Sequence, residues 1–283
     1  MKRSRIWRML RDLRYGLPGL VGRSLPILDG LGAVTIGRRA ARSGRAITIG
    51  YFEAEGEDPD NIVLAYHRAL AAWRDRPFDL YLSVKAPPLA FAFDRLHALA
   101  AAARAAGCPL MFDAHGPDQA DRTLALVERL LPDFPGTGCV LPARWHRSFA
   151  DAARFRDTTA PLRIVAGEWP DPERDEPDID RAYAMLVESL AGRRAPVAVA
   201  THRPARAAQA LAALQRAGTP CELEQLRGLP GRRCRTVAAR LDVPVRLYVP
   251  FGPGWLPYAL DRALARPYLA AWLLRDGMGR ADP

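Results

Sequence analysis

The sequence predicts an α/β protein of the (β/α)8 barrel type with an N-terminal helical extension, and three observations carry that expectation. Short apolar runs alternate with segments of helical period from residue 46 onward, the order that yields a parallel sheet with helices on its outside. Eight such units fall within roughly 220 residues, the number and size of a closed barrel whose active site lies at the C-terminal ends of its strands. No glycine-rich phosphate turn follows the first run at Phe52, where a doubly wound open sheet would show one. The expected division is a basic helical extension over residues 1–45, the barrel over 46–275 and a tail over 276–283.

The chain opens on MKRSRIWRMLRDLR, in which Ile6, Met9, Leu10 and Leu13 share one helical face and arginines occupy the others. Such a helix either rests on an anionic membrane surface through Trp7 and its arginines or packs against the barrel's outside. No apolar run here approaches the ~20 residues of a membrane span, and the apolar core of a signal peptide is missing. Strands are expected at 46–52, 79–85, 109–113, 138–142, 162–166, 197–200, 221–225 and 245–249, short runs rich in aliphatic and β-branched residues. Helical spacing of apolar residues marks 59–73, 91–106, 118–131, 179–190 and 203–217 between them. After the last strand, Pro250, Gly252, Pro253 and Gly254 break the pattern. Leu256, Leu260 and Leu264 then resume at helical intervals from Trp255.

Nearly half of the 283 residues are apolar, enough for a full core. The net charge of +10 is almost wholly arginine, Lys2 and Lys85 being the only lysines. A basic chain favours anionic partners, but no RNA-binding or helix-turn-helix signature accompanies the charge, so no nucleic-acid partner is expected. Cys108, Cys139, Cys221 and Cys234 lack zinc spacing. They read as reduced core thiols of a cytoplasmic protein, and no metal site is expected.

In a barrel, polar side chains at strand C-termini are the candidates for chemistry. Lys85 ends the second strand, Asp113 the third, Thr201 and His202 follow the sixth, and Arg163 lies inside the fifth. Arg163 is costly to bury without a carboxylate or an anionic cofactor, and Asp113 is the evident partner. Lys85 either faces a substrate carboxylate or neutralises Asp113. His202 either hydrogen-bonds a ligand or caps the helix starting at Arg203. The eighth strand is expected to deliver Arg246 and Tyr248 to its C-terminal end, with Tyr258 and Arg262 four apart on the following helix. That arrangement suits an anionic ligand. His67, His97 and His146 fall in helical stretches and read as surface or packing residues.

Several segments also fall in a telling order: S-V-K at 83–85, F-D-A-H at 112–115, R-I-V-A-G-E-W at 163–169, D-R-A-Y at 180–183, A-T-H at 200–202, E-L-E-Q-L-R-G at 222–228, and R-L-Y-V-P-F-G at 246–252 followed by Y-A-L-D-R at 258–262. Together they resemble the bacterial proline dehydrogenase family, flavin enzymes on a (β/α)8 barrel. Its corresponding patterns include I-D-M-E, R-L-V-K-G-A-Y, D-x-x-Y, A-T-H and E-F-Q-M-L-x-G. The resemblance implies non-covalent FAD at the C-terminal face, contacted by Arg163, Ala166, Gly167, Thr201, His202 and Arg246. It implies catalytic roles for Asp113 and Arg163, with Asp113 orienting Arg163 and Lys85, and a substrate held by Lys85, Tyr258 and Arg262. The reaction implied is hydride removal from L-proline or a related cyclic amine, giving an imine such as 1-pyrroline-5-carboxylate. Electrons would pass to a membrane quinone at the inner face of the membrane, and the product to a separate aldehyde dehydrogenase. The chain departs from the family at Ala166 (lysine), Pro142 (glutamine), Asp261 (the first of two arginines) and His115 (glutamate). Those departures leave a second reading, a descendant that takes another amine or binds flavin without turnover.

Overall fold

All eight apolar runs form strands, because each pairs an outward set of aliphatic residues with an inward set that fills the lumen. In the computed structural model, which describes residues 28–73 and 78–259, the order is α1 (Gly30–Ala41), β1 (Ala46–Tyr51), α2 (Pro59–Trp73), β2 (Leu80–Val84), α3 (Phe93–Ala105), β3 (Leu110–Phe112), α4 (Ala120–Leu130), β4 (Gly138–Pro142), α5 (Ser148–Phe155), β5 (Leu162–Val165), α6 (Ile179–Ser189), β6 (Val197–Ala200), α7 (Pro204–Arg216), β7 (Cys221–Leu226), α8 (Arg232–Arg240) and β8 (Val245–Phe251). Every neighbouring pair is parallel, and β8 returns to β1, with Thr48 opposite Tyr248, so the sheet closes into an eight-stranded barrel. The fold is a (β/α)8 barrel.

The main apolar core lies between the sheet and its helices. Ile47, Ile49, Leu80, Leu82, Ile164, Val197 and Val199 are buried there against Trp73, Leu99, Leu186 and Leu211. Packing of this kind follows from strand period, since successive side chains point to opposite faces.

The periodicity did not single out α1. Its start is capped by Asp29, whose Oδ1 accepts the Gly32 N–H at 2.7 Å. The helix docks closely because a Cβ at Gly30 would come within 3.2 Å of Ala69 on α2, and one at Gly37 within 3.1 Å of both Ile47 and Trp73. The barrel's outer layer thus includes residues ahead of position 46. The amphipathic stretch at residues 1–14, together with Asp261, Arg262 and the expected tail, lies outside the described residues. Among those described, no helix is long and apolar enough to cross a membrane. The four cysteines are free thiols; Cys108, Cys139 and Cys234 are buried and Cys221 half-buried.

Candidate active site at the barrel mouth

Barrel interiors are ordinarily filled by layers of branched apolar side chains. Here the lumen holds a charged network. Arg163, on β5, is 3% exposed, and its guanidinium spans the barrel. Nε donates to Glu224 Oε2 on β7 at 2.6 Å, and Nη1 donates to Asp113 Oδ1 just beyond β3 at 2.9 Å. Longer contacts reach Ser83 Oγ at 3.4 Å and Thr48 Oγ1 at 3.5 Å. Thr48 donates to the other oxygen of Glu224 at 2.8 Å, and Tyr248 Oη donates to Asp113 Oδ2 at 3.0 Å. The Tyr248 ring lies beside the guanidinium, its centroid 5.2 Å from Cζ. Burial pulls the Arg163 pKa down, but the Glu224 and Asp113 carboxylates outweigh it and hold the group charged. Burial, and then the Asp113 charge, push the Tyr248 hydroxyl well above its ordinary value, so it remains a donor.

The β1–α2 loop makes a second cluster. Lys85, just past β2, donates to Tyr51 O at 2.7 Å and Glu53 Oε2 at 2.9 Å, and its ammonium sits 3.7 Å from the centroid of Phe52. Phe52 packs on Trp255 and Tyr258 with ring centroids 5.1 and 5.2 Å away, and the Tyr258 hydroxyl donates to Glu168. Residues 255–259 are helical, so the turn expected after β8 does return an aromatic to the mouth.

Opposite lie the β4 and β5 loops. Arg144 pairs with Asp175 and donates through Nη1 to Glu168 O at 3.0 Å, and Trp145 Nε1 donates to Trp169 O at 2.7 Å. Gly167 has φ +96°, and the space a Cβ would take is filled by Arg144 and Pro142, so the tight turn requires glycine. Ala166 is half-buried, and Trp169 is 47% exposed beside it.

The structure thus brings Asp113, Arg163, Lys85, Ala166, Gly167, Thr201 and Tyr258 to one end of the barrel, with Tyr248 and Glu224 beneath. Three residues depart from the sequence-based expectation. Arg246 is the second residue of β8 and lies at the opposite, N-terminal end, where it donates to Glu222 at 2.7 Å, Ile47 O at 2.7 Å and Asp79 at 2.9 Å. It is 1% exposed and out of reach of the mouth, so a contact from Arg246 to a ligand there is corrected to a role in closing the barrel floor. His202 neither caps α7 nor offers the mouth a free nitrogen. Nε2 accepts the Leu226 N–H at 3.1 Å, and Nδ1 bonds Pro230 O at 2.6 Å, so the ring ties β6 to the loop after β7. Thr201 Oγ1 meets the Arg203 N–H at 3.1 Å and supplies the local turn instead. Lys85 faces Glu53 rather than Asp113.

Sequence reasoning passed over Glu53, Glu168 and Glu224. Glu224 carried one legible signal, a carboxylate inside an apolar strand two residues after another at Glu222. Glu53 and Glu168 sit in loops, where a carboxylate is unremarkable.

A closed parallel barrel with a buried guanidinium, a tyrosine and carboxylates converging at the C-terminal end of its strands defines an enzyme of the (β/α)8 class. The Proline dehydrogenase family profile matches residues 48–263, nearly all of that barrel, and the chain belongs to that family. Among curated relatives, Proline dehydrogenase 1 of Bacillus subtilis strain 168 is 25% identical over 261 residues, spanning 86% of this chain and 85% of the relative. Among solved structures, the fold superposes on proline utilization A from Bdellovibrio bacteriovorus, inactivated by N-propargylglycine, with a TM-score of 0.72 at 17% identity. It superposes on proline utilization A from Corynebacterium freiburgense with a TM-score of 0.65 at 18% identity. The chain's matches cover 89% and 96% of its own length but only 33% and 34% of those longer chains.

Proposed function

We propose that this chain is a flavin-dependent proline dehydrogenase, oxidising L-proline or a closely related cyclic secondary amine to an imine such as 1-pyrroline-5-carboxylate. Family membership supports the reaction type. The single structural observation in its favour is the Arg163–Asp113–Tyr248 cluster, a charged and hydrogen-bonded floor beneath the barrel mouth. FAD supplies, when bound, a two-electron acceptor for the hydride on the ring carbon beside the nitrogen.

The residues present fit such a group. Among the described residues, Arg163 Nη2 makes only the 3.5 Å contact to Thr48 and retains donor capacity, Thr201 keeps its O–H, and the Ala166–Gly167 turn offers backbone close by. Ala166 and Pro142 add no side-chain donor, and His202 is already engaged, so Arg163 and Thr201 are the side chains assigned to hold the flavin. Asp113 fixes Arg163 on one side and takes the Tyr248 hydroxyl on the other, which keeps both oriented without reorganisation. The Lys85 ammonium lies over the Phe52 ring and the Tyr258 ring packs on the same phenyl group; Lys85, the Tyr258 hydroxyl and Arg262 would receive the substrate carboxylate, Lys85 exchanging Glu53 for it.

In this proposal the acceptor beyond the flavin is a membrane quinone, which the basic N-terminal stretch would bring within reach, and the imine passes to a separate aldehyde dehydrogenase. The test is spectroscopic. Protein expressed with excess riboflavin should carry the visible flavin band and lose it on anaerobic addition of L-proline. A colourless protein that takes up no added FAD would overturn the proposal, and a flavin bleached by another cyclic amine but not by proline would reassign the substrate.

A further inference from the structure

We propose that His115 takes the proton off the substrate ammonium, so that the ring nitrogen enters hydride transfer as a neutral amine. This rests on the amine oxidation proposed above. A secondary amine reaches a protein at neutral pH as its ammonium, which has no lone pair. Only the neutral nitrogen can form the new C=N bond as hydride leaves the adjacent carbon, so one N–H proton must pass to a base. The carboxylates at and beneath the mouth are already engaged by donors. Asp113 accepts from Arg163 at 2.9 Å and Tyr248 at 3.0 Å, and Glu53 from Lys85 at 2.9 Å. Glu224 accepts from Arg163 at 2.6 Å and Thr48 at 2.8 Å, and Glu168 from the Tyr258 hydroxyl. Each of these bonds favours the ionised carboxylate and so weakens it as a base.

His115 differs from all of them. It lies three residues beyond β3 at the C-terminal end of the barrel, half-buried, and shares with Asp113 the wall of a small cavity. His97, His146 and His202 are hydrogen-bonded through a ring nitrogen. Among the described residues, none bonds either ring nitrogen of His115, and neither nitrogen is shut away from solvent. Burial, and then the Lys85 charge, hold its pKa below 6.5, so at neutral pH the ring keeps a lone pair. The charges that act on it are Lys85 past β2, Asp113 on its own segment and Glu53 from the β1–α2 loop. To the cavity wall α5 adds Asp151, paired with Arg147, and β4 adds Cys139, a thiol that burial keeps protonated. Once a substrate carboxylate neutralises Lys85, the Asp113 and Glu53 charges favour the imidazolium, so binding itself makes the ring more basic. The ammonium proton goes to the imidazole, the C–H electron pair leaves as hydride to the oxidant, FAD, and the nitrogen lone pair closes the C=N bond. The step yields an iminium, and loss of its remaining N–H proton gives the imine.

The experiment follows kcat/KM for L-proline, or for the cyclic amine that bleaches the flavin, from about pH 4.5 to about pH 9 on FAD-loaded protein. Beside it runs an NMR titration of the histidine imidazoles without substrate. In the wild type, kcat/KM should fall as pH drops through the pKa that NMR gives His115, because a protonated imidazole accepts nothing. His115→Gln should lose about 10²–10⁴-fold at neutral pH. Its kcat/KM should then climb roughly tenfold per pH unit, since only amine already free in solution reacts. His115→Glu, the residue of the family pattern, should recover to within about tenfold of the wild type, with the acid limb at lower pH because a carboxylic acid is the stronger acid. A His115 that serves packing alone would lower both variants by one factor at every pH and keep the limb, which overturns the inference. So does a glutamine variant within about threefold of the wild type throughout, or a wild-type limb away from the NMR value. If the glutamine variant does not fold, the glutamate variant and the wild-type comparison decide. Loaded protein that oxidises the amine without a His115 limb sinks this inference alone, whereas protein that takes up no FAD, or is bleached by no cyclic amine, sinks the reading beneath it.

Discussion

Gly50 shows how closely single residues are fitted around the site. A Cβ on this β1 residue would come 2.0 Å from Tyr248 Oη and 3.2 Å from Ser83 Cβ, so glycine is what lets the tyrosine hydroxyl cross the strand to Asp113. A glycine within a strand pattern does signal close approach, but only the fold names what approaches. We expect Gly50→Ala to push the ring aside, destabilise the protein by about 1–3 kcal/mol, and lower kcat/KM for the amine substrate about tenfold or more as the Asp113 contact is lost. Urea unfolding and steady-state kinetics on the same preparations check both. Unchanged kinetics in a destabilised protein would mean that Tyr248 serves packing rather than the site. Arg163 and Asp113 were readable as partners because an arginine inside an apolar strand must find a carboxylate. Glu53 was not, since it lies on a loop whose path back to Lys85 no local pattern encodes.

Strand β8 shows what an element adds. Arg246 and Tyr248 are two residues apart and share its inward face, but two residues of strand span roughly 6–7 Å. Tyr248 meets Asp113 near the mouth, and Arg246 meets Glu222 and Asp79 at the far end. Burial pulls the Arg246 pKa down, and the Glu222 carboxylate more than offsets it. Burial pushes Glu222 up despite that same arginine, so removing the arginine strands a buried acid. Arg246→Leu should cost about 3–5 kcal/mol in chemical unfolding, the usual penalty for breaking a buried pair, and leave FAD affinity as it was. Weaker FAD binding at preserved stability would contradict the position assigned to Arg246. Helices varied in legibility for a related reason. In α8 only Cys234 and Ala238 are buried, too small an apolar face to register among its arginines.

For the whole molecule, stability should respond to pH through His115. Burial, and then the Lys85 charge, hold its pKa below the ordinary 6.5. The unfolded chain therefore takes up this proton first as pH falls. Between 6.5 and the lower folded value the unfolded state binds more protons, so stability declines with falling pH across that window and is insensitive to this group above it. His115→Gln should flatten the decline in thermal midpoint measured from about pH 8 to about pH 5. An identical slope in both proteins would assign the dependence to other groups.

Local composition and period sufficed for the strands, for the parallel barrel they close into, and for the end of it where Lys85, Asp113 and Thr201 gather, because each of these depends on which face a residue occupies and on which side of a strand it ends. They could not supply height along the barrel axis or partners across the lumen. Those depend on the stagger between strands and on the routes of the connecting loops. Glu224 and Arg163 are 61 residues apart and on strands that do not pair, and only closure of the sheet sets them side by side. The same closure carried Arg246 to the N-terminal end of the barrel and turned both nitrogens of His202 toward the backbone at the end of β7 and in the loop after it.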